Sequence, residues 1–179
     1  MKRASLKRIS TIGFASLLAA LSAVAQEHQW AARTLDDIES TIHERLAVLP
    51  YHGVFDTLRF EVQGKTVILS GQVIKDSVKQ NAERAVRRLN GVESVINHIE
   101  VLPSSRRDDA LRMNLYRAIY ENQPLEGYGA DTSIHIIVKN GFVSLEGVVK
   151  SEADRGTVHT RALKVTAHVA DNLRVAPAE

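Results

Sequence analysis

Three kinds of chemistry are open to the polar residues of this chain: covalent or acid–base catalysis, metal ligation, and attraction of anions. Ser70 and Ser144 stand inside strand-patterned segments, and no Gly-x-Ser-x-Gly elbow occurs to expose a serine as a nucleophile. The paired acids Asp36-Asp37 and Asp108-Asp109 open helical patterns, where a carboxylate suits the positive end of the helix dipole. Neither a P-loop nor a dinucleotide fingerprint is present. His28, His43, His52, His98, His135, His159 and His168 are scattered without an i, i+4 pair, so they read as surface residues and not as zinc ligands. The expectation is a non-enzymatic protein with no catalytic residues, no metal and no cofactor.

Anion attraction is the chemistry with material behind it. Lys75, Lys79, Arg84, Arg87 and Arg88 decorate one face of a helical segment whose other face carries Val78, Ala82 and Val86. A second segment offers Arg155, His159, Arg161 and Lys164 in a similar row. Each basic residue near an anionic leaflet contributes about 1 kcal/mol. Glu83, Glu152 and Asp154 partly neutralise the rows, so an ordinary solvated helix face remains the simpler reading of charge alone.

The elements that carry these rows occur twice. Val67-Ile68-Leu69-Ser70-Gly71-Gln72-Val73 aligns with Val143-Ser144-Leu145-Glu146-Gly147-Val148-Val149, and Leu58, Phe60 and Val62 align with Ile134, Ile136 and Val138 at the same offset. Asn97-His98-Ile99-Glu100-Val101 resembles Asp171-Asn172-Leu173-Arg174-Val175 after a two-residue deletion. Each copy begins with a helical pattern, Leu35/Ile38/Ile42/Leu46/Leu49 or Leu111/Leu115/Ala118/Ile119, and Pro50 and Pro124 end these patterns. Two alternating strands follow, joined by the turn residues Gly64-Lys65 or Asn140-Gly141. A second helix carries Val78, Ala82, Val86 and Leu89 in one copy and Val158, Ala162 and Val165 in the other, and a closing strand ends at Val101 or Val175. Pro103 to Arg107 reads as a polar linker between the copies.

The pattern predicts an α+β fold of two tandem α-β-β-α-β modules. Each is a three-stranded mixed sheet with two helices on one face and a solvated face opposite. Ile68, Ile74, Ile137 and Val148 point to that open face, available to an extended peptide or to the other module.

Residues 1–25 read as a cleavable signal peptide. Lys2, Arg3, Lys7 and Arg8 precede the apolar run Ile9 to Leu21, and Ala23-Val24-Ala25 supplies a small-x-small cleavage site before Gln26. The run is shorter than the ~20 residues a membrane span needs. Without the four signal cations, 19 Lys+Arg face 21 Asp+Glu, so the basic whole-chain balance is no argument for nucleic acid. The chain has no cysteine, which excludes disulfides, thiolate metal sites and an acylated N-terminal cysteine.

The order helix, hairpin, Val-x-Leu-x-Gly-x-Val strand, helix and Val-x-Asn-x-Ile-x-Val strand resembles the BON domain, over residues 34–103 and 108–176. The signature glycines are Gly71 and Gly147, and Gly91 lies in the Asn90-Gly91-Val92 turn into the last strand of the first copy. The second copy departs there, with Thr166-Ala167-His168-Val169, and Gly156 interrupts its second helix. The resemblance implies a periplasmic protein, freely diffusing and not a lipoprotein, that binds anionic phospholipid and supports the cell envelope under stress. It favours the second copy for lipid contact. An alternative implied by the family is a soluble chaperone for exported outer-membrane polypeptides, and a third is a ring-building piece of an envelope complex.

Overall fold

Two glycines show most directly how the sequence sets the fold. Gly71 has φ +122° and Gly147 has φ +115°, conformations closed to side chains with a Cβ. At both, an added Cβ would collide with a backbone carbonyl at the start of the hairpin, that of Thr57 or of Ser133. The same strained crossing in both halves is the structural mark of the duplication.

The computed structural model describes residues 36–121 and 133–177; the signal segment, His28, Leu35 and Pro124 lie outside them. By compactness the chain divides into residues 1–41 and 42–179. Of the first unit, residues 36–41 are described and are helical, with the Thr41 hydroxyl donating to the Asp37 carbonyl at 2.7 Å. Helical structure runs over residues 36–47 (α1), and Ile42 and Leu46 are buried.

In the first module, β1 (Thr57–Gln63) and β2 (Thr66–Val73) form an antiparallel hairpin, with Phe60 opposite Leu69. Helix α2 (Asp76–Arg87) then leads to β3 (Ser94–Asn97) and β4 (Glu100–Val101), two pieces of one closing strand, both parallel to β2. The second module repeats this with β5 (Ile134–Lys139), β6 (Phe142–Val149), α4 (Glu152–Leu163) and β7 (Val169–Val175), the last unbroken. It opens with α3 (Arg106–Tyr116). In both sheets the middle strand is the second one, antiparallel to the first and parallel to the last. The two-residue deletion lies in the register, because Leu69 pairs with Asn97 but Leu145 pairs with Asp171.

The two hairpins use different turns. Only Gly64 is left-handed in the first, whereas both Asn140 (φ 54°) and Gly141 (φ 81°) are in the second, the pattern of a type I′ turn. Ser105 and Ser151 cap α3 and α4, accepting from the Asp108 and Asp154 amides. Arg106 and Arg107 therefore belong to α3, and the linker shrinks to Pro103-Ser104-Ser105.

Several expectations are corrected. Leu89 and Val165 fall just beyond the helices they were assigned to, because α2 ends at Arg87 and α4 at Leu163. The helical pattern through Ile119 switches to a π-helical turn over Arg117–Glu121. Asp108 lies with Asp109 in the first turn of α3, as expected, and has a second role there. It is 2% exposed and accepts from the Asn140 and Gly141 amides at 2.8 and 2.9 Å, so it ties the start of α3 to the hairpin turn. Arg112, one turn later and also buried, donates to the Val138 carbonyl at 2.6 Å and pairs with Asp109. Polar groups thus occupy the inward stripe of α3, held by the Asp108 carboxylate and the two terminal nitrogens of Arg112, while Arg112 Nε is buried without a partner among the described residues.

The modules differ in how completely they hide their first strand. Ile134, Ile136 and Val138 are fully buried, while Leu58, Phe60 and Val62 are only half-buried. Full burial of an aliphatic side chain contributes about 1.5–3 kcal/mol, so the second core gains more from its first strand.

Candidate functional site

The basic rows are positioned by α2 and α4. On α2, Val78, Ala82 and Val86 are buried at i, i+4 and i+8, which turns the charged residues outward. Arg84 is exposed and donates to Asn81, Arg87 is exposed and paired with Glu83, and Arg88 is exposed at the C-cap. Glu83 also accepts from Asn97 at 3.0 Å, and that bond, with the Arg87 charge, holds its carboxyl below the usual range. Lys79 is half-buried, and the Lys75 ammonium lies 4.7 Å from the centre of the Tyr51 ring.

On α4 the row divides. Arg155 is bound to Asp171 at 3.0 Å and lies 3.8 Å from Glu152. Arg161 donates to the Ile119 carbonyl at 2.7 Å, stapling α4 to the π-helical turn. His159 is half-buried, and Lys164 is exposed at the C-cap. Two of the four side chains are therefore structural, and the exposed charge of this helix sits at its C-terminal end. Gly91, at φ +91°, makes the turn into β3.

The face expected to be open is closed over part of its area. Ile137 is 2% exposed, and its neighbours on the outer face of the second sheet contact the first module. Glu146 pairs with Arg59, and Lys139 pairs with Glu100 at 2.6 Å. The loop before β1 reaches further: the Val54 carbonyl accepts from Ile136 N–H at 2.7 Å, and Val54 itself belongs to the second module's core. This bond occupies one position on the free edge of β5, a place that otherwise invites strand pairing. Phe55 meets Tyr116 edge-on at 6.2 Å. Of the four residues assigned to an open face, Ile68 and Ile74 are half-buried and Val148 is 37% exposed.

Two histidines assigned to the surface lie at this junction. The His52 and His135 rings are 6.0 Å apart, and His52 Nε2 and His135 Nδ1 are buried without a hydrogen-bond partner among the described residues. Burial lowers the pKa of both, opposed at His52 by the Asp56 carboxylate. Asp56 is 1% exposed, accepts from the Gly53 and Ile74 amides at 3.1 and 2.8 Å, and is raised by its own burial. The sequence held one signal of this junction: Ile137 breaks the alternation of β5 by putting an aliphatic residue on the outward side. Among the described residues no His, Asp and Glu cluster is arranged to hold a metal ion, and no helix is long and apolar enough to cross a membrane.

Comparison with known families decides what this duplicated unit is. The family model of the BON domain matches residues 34–103 and again residues 107–177. The chain belongs to the BON-domain family. It is a tandem BON-domain protein, each domain one of the two sheets described above with its helices. Comparison with curated proteins finds no match. Two solved chains of CdsD, a structural protein of the type III secretion system of Chlamydia trachomatis, are similar at 16% identity. One alignment covers 78% of this chain and 61% of that one with a TM-score of 0.33. The other, to the CdsD C-terminal domain, covers 79% and 64% with a TM-score of 0.28. The BON-domain chain thus spans about three-fifths of the length of these structures.

Proposed function

We infer that this tandem BON-domain protein is an exported, non-catalytic protein that docks reversibly on anionic phospholipid surfaces in the periplasm and supports the cell envelope under stress. One contrast carries the reading. The basic ends of α2 and α4, with Arg84, Arg87, Arg88 and Lys164, remain exposed after folding, while Ile137 on the rival surface is buried. A holdase gripping extended clients across the open sheet face needs that face free, and ion pairs to the first module cross it at Glu146 and at Lys139. Phosphate groups need only accessible cations, and two modules in one chain multiply weak contacts into useful avidity.

Co-sedimentation with vesicles tests the reading. Binding to phosphatidylglycerol vesicles that weakens with added salt, and little binding to phosphatidylcholine alone, is the expected result. Equal pelleting with both, or none with either, contradicts it. Charge reversal belongs at Lys164, with Arg84 and Arg88 reversed separately as the comparison, because Arg155 and Arg161 hold the second module together.

A further inference from the structure

We propose that the tip of the second module's hairpin is the membrane anchor, with Phe142 entering the lipid interface inside a ring of basic side chains. The proposal rests on the docking reading above and says where and how contact is made.

The topology brings four chain segments to one end of this module. The β5–β6 turn lies there, and the start of β7 lies beside it because β7 runs parallel to β6. The Val143 N–H donates to the His168 carbonyl at 2.9 Å, which fixes that neighbourhood. Five residues separate the C-terminus of α4 from β7, and the start of α3 is held to the turn by the Asp108 carboxylate. At this end Phe142 is 65% exposed, with its ring 5.2 Å from that of exposed His168, and Leu163 is 46% exposed.

The exposed charges around this apolar tip that belong to no ion pair among the described residues are of one sign. Arg106, Arg107 and Lys164 are all exposed. The acids closest in the chain are committed elsewhere: Asp108 is buried on the turn amides, Asp109 pairs with Arg112, and Glu100 pairs with Lys139. Arg106 and Arg107 sit in the first turn of a helix, where the dipole disfavours cations, so folding does not account for their placement. The same end of the first module lacks the apolar tip, although Arg88 is exposed at the α2 C-cap as Lys164 is at that of α4. Thr66 stands where Phe142 does, and Lys65 at the turn is paired with Glu93.

The shape selects a bilayer over a protein partner. A stable protein interface buries on the order of 800 Å² per side with a packed centre. Here a single ring projects from a turn with a flanking leucine, a convex point that a deformable lipid interface accepts. Aromatic rings favour that depth, with phosphates at the level of the surrounding cations.

Because the chain has no cysteine, Phe142→Cys carries a single environment-sensitive fluorophore in the full-length processed protein. With equal-part phosphatidylglycerol and phosphatidylcholine vesicles, the label should shift to the blue and be quenched by a lipid-borne quencher. The same label on Ala153→Cys, at the opposite end of the module, should not respond. Phe142→Ser should bind these vesicles about tenfold more weakly with an unchanged melting temperature, and Phe142→Leu should retain most of the affinity. If the protein pellets with anionic vesicles while the Phe142→Cys label stays in water, or both labels respond alike, the anchor is refuted and the docking reading survives. If the wild-type chain does not pellet, both fall together.

Discussion

The two BON modules share a backbone plan and differ in what they do with their surfaces. The first pairs Arg87 with Glu83 and the turn residue Lys65 with Glu93, and leaves Arg84 and Arg88 exposed. It also lends Val54 and Phe55 to its neighbour. The second has the more fully buried first strand and leaves Arg106, Arg107, Lys164 and Phe142 exposed at one end. Duplication thus produced two copies of a scaffold that diverge at turns and helix ends, and on the docking proposed above the second module makes the contact while the first supports it.

The largest expected effect concerns what the modules have in common. Gly71→Ala and Gly147→Ala should each destabilise by on the order of 4 kcal/mol, because a Cβ must displace a strand carbonyl in a backbone region reserved for glycine. Urea titration of both variants checks this, and a mild effect at one of them would break the equivalence of the crossings. Next is a feature of the second module alone. Asp108→Ala leaves the Asn140 and Gly141 amides without their acceptor and should cost about 2–4 kcal/mol, read by the same titration.

The junction between the modules should respond to pH. His52 and His135 are held below the ordinary imidazole value chiefly by burial, so the unfolded chain takes up their protons first. Stability is therefore complete above about pH 6.5 and declines as pH falls from there toward their lowered folded values. Asp56 acts oppositely at lower pH: its carboxyl is raised, so protonation through that raised value relieves a burial penalty. Melting temperatures between about pH 7 and pH 5.5 should fall in the wild type. The fall should shrink in the double variant His52→Gln and His135→Gln; an identical slope in both would place the pH response elsewhere.

The smallest effect sharpens the comparison of the second helices. Gly156 occupies the α4 position that Gln80 holds in α2, and an added methyl would meet nothing within 4 Å. Gly156→Ala should stabilise by about 1 kcal/mol in thermal melts, with vesicle binding unchanged.

Much of this architecture was legible because it depends on local periodicity. Alternation in Ile134/Ile136/Val138, the i, i+4 spacing of Val78/Ala82/Val86 and the turn residues Asn140-Gly141 each report a local backbone state. What was illegible depends on partners distant in the chain. Asp108 reads correctly as a helix start but not as the acceptor for the amides of residues 140 and 141, and nothing in the sequence marks Arg112 for the Val138 carbonyl. His52 and His135 become buried only once the modules meet. The basic row of α4 could be read as charge, but not that Arg155 and Arg161 hold the fold while Lys164 stays exposed.

The division of labour between the modules can be measured directly by vesicle binding of two charge-reversed proteins. One carries Arg106→Glu, Arg107→Glu and Lys164→Glu; the other carries Arg84→Glu and Arg88→Glu. The first should lose salt-sensitive binding to phosphatidylglycerol vesicles while the second keeps most of it. Equal losses, or a greater loss in the second, would contradict the assignment of docking to the second module.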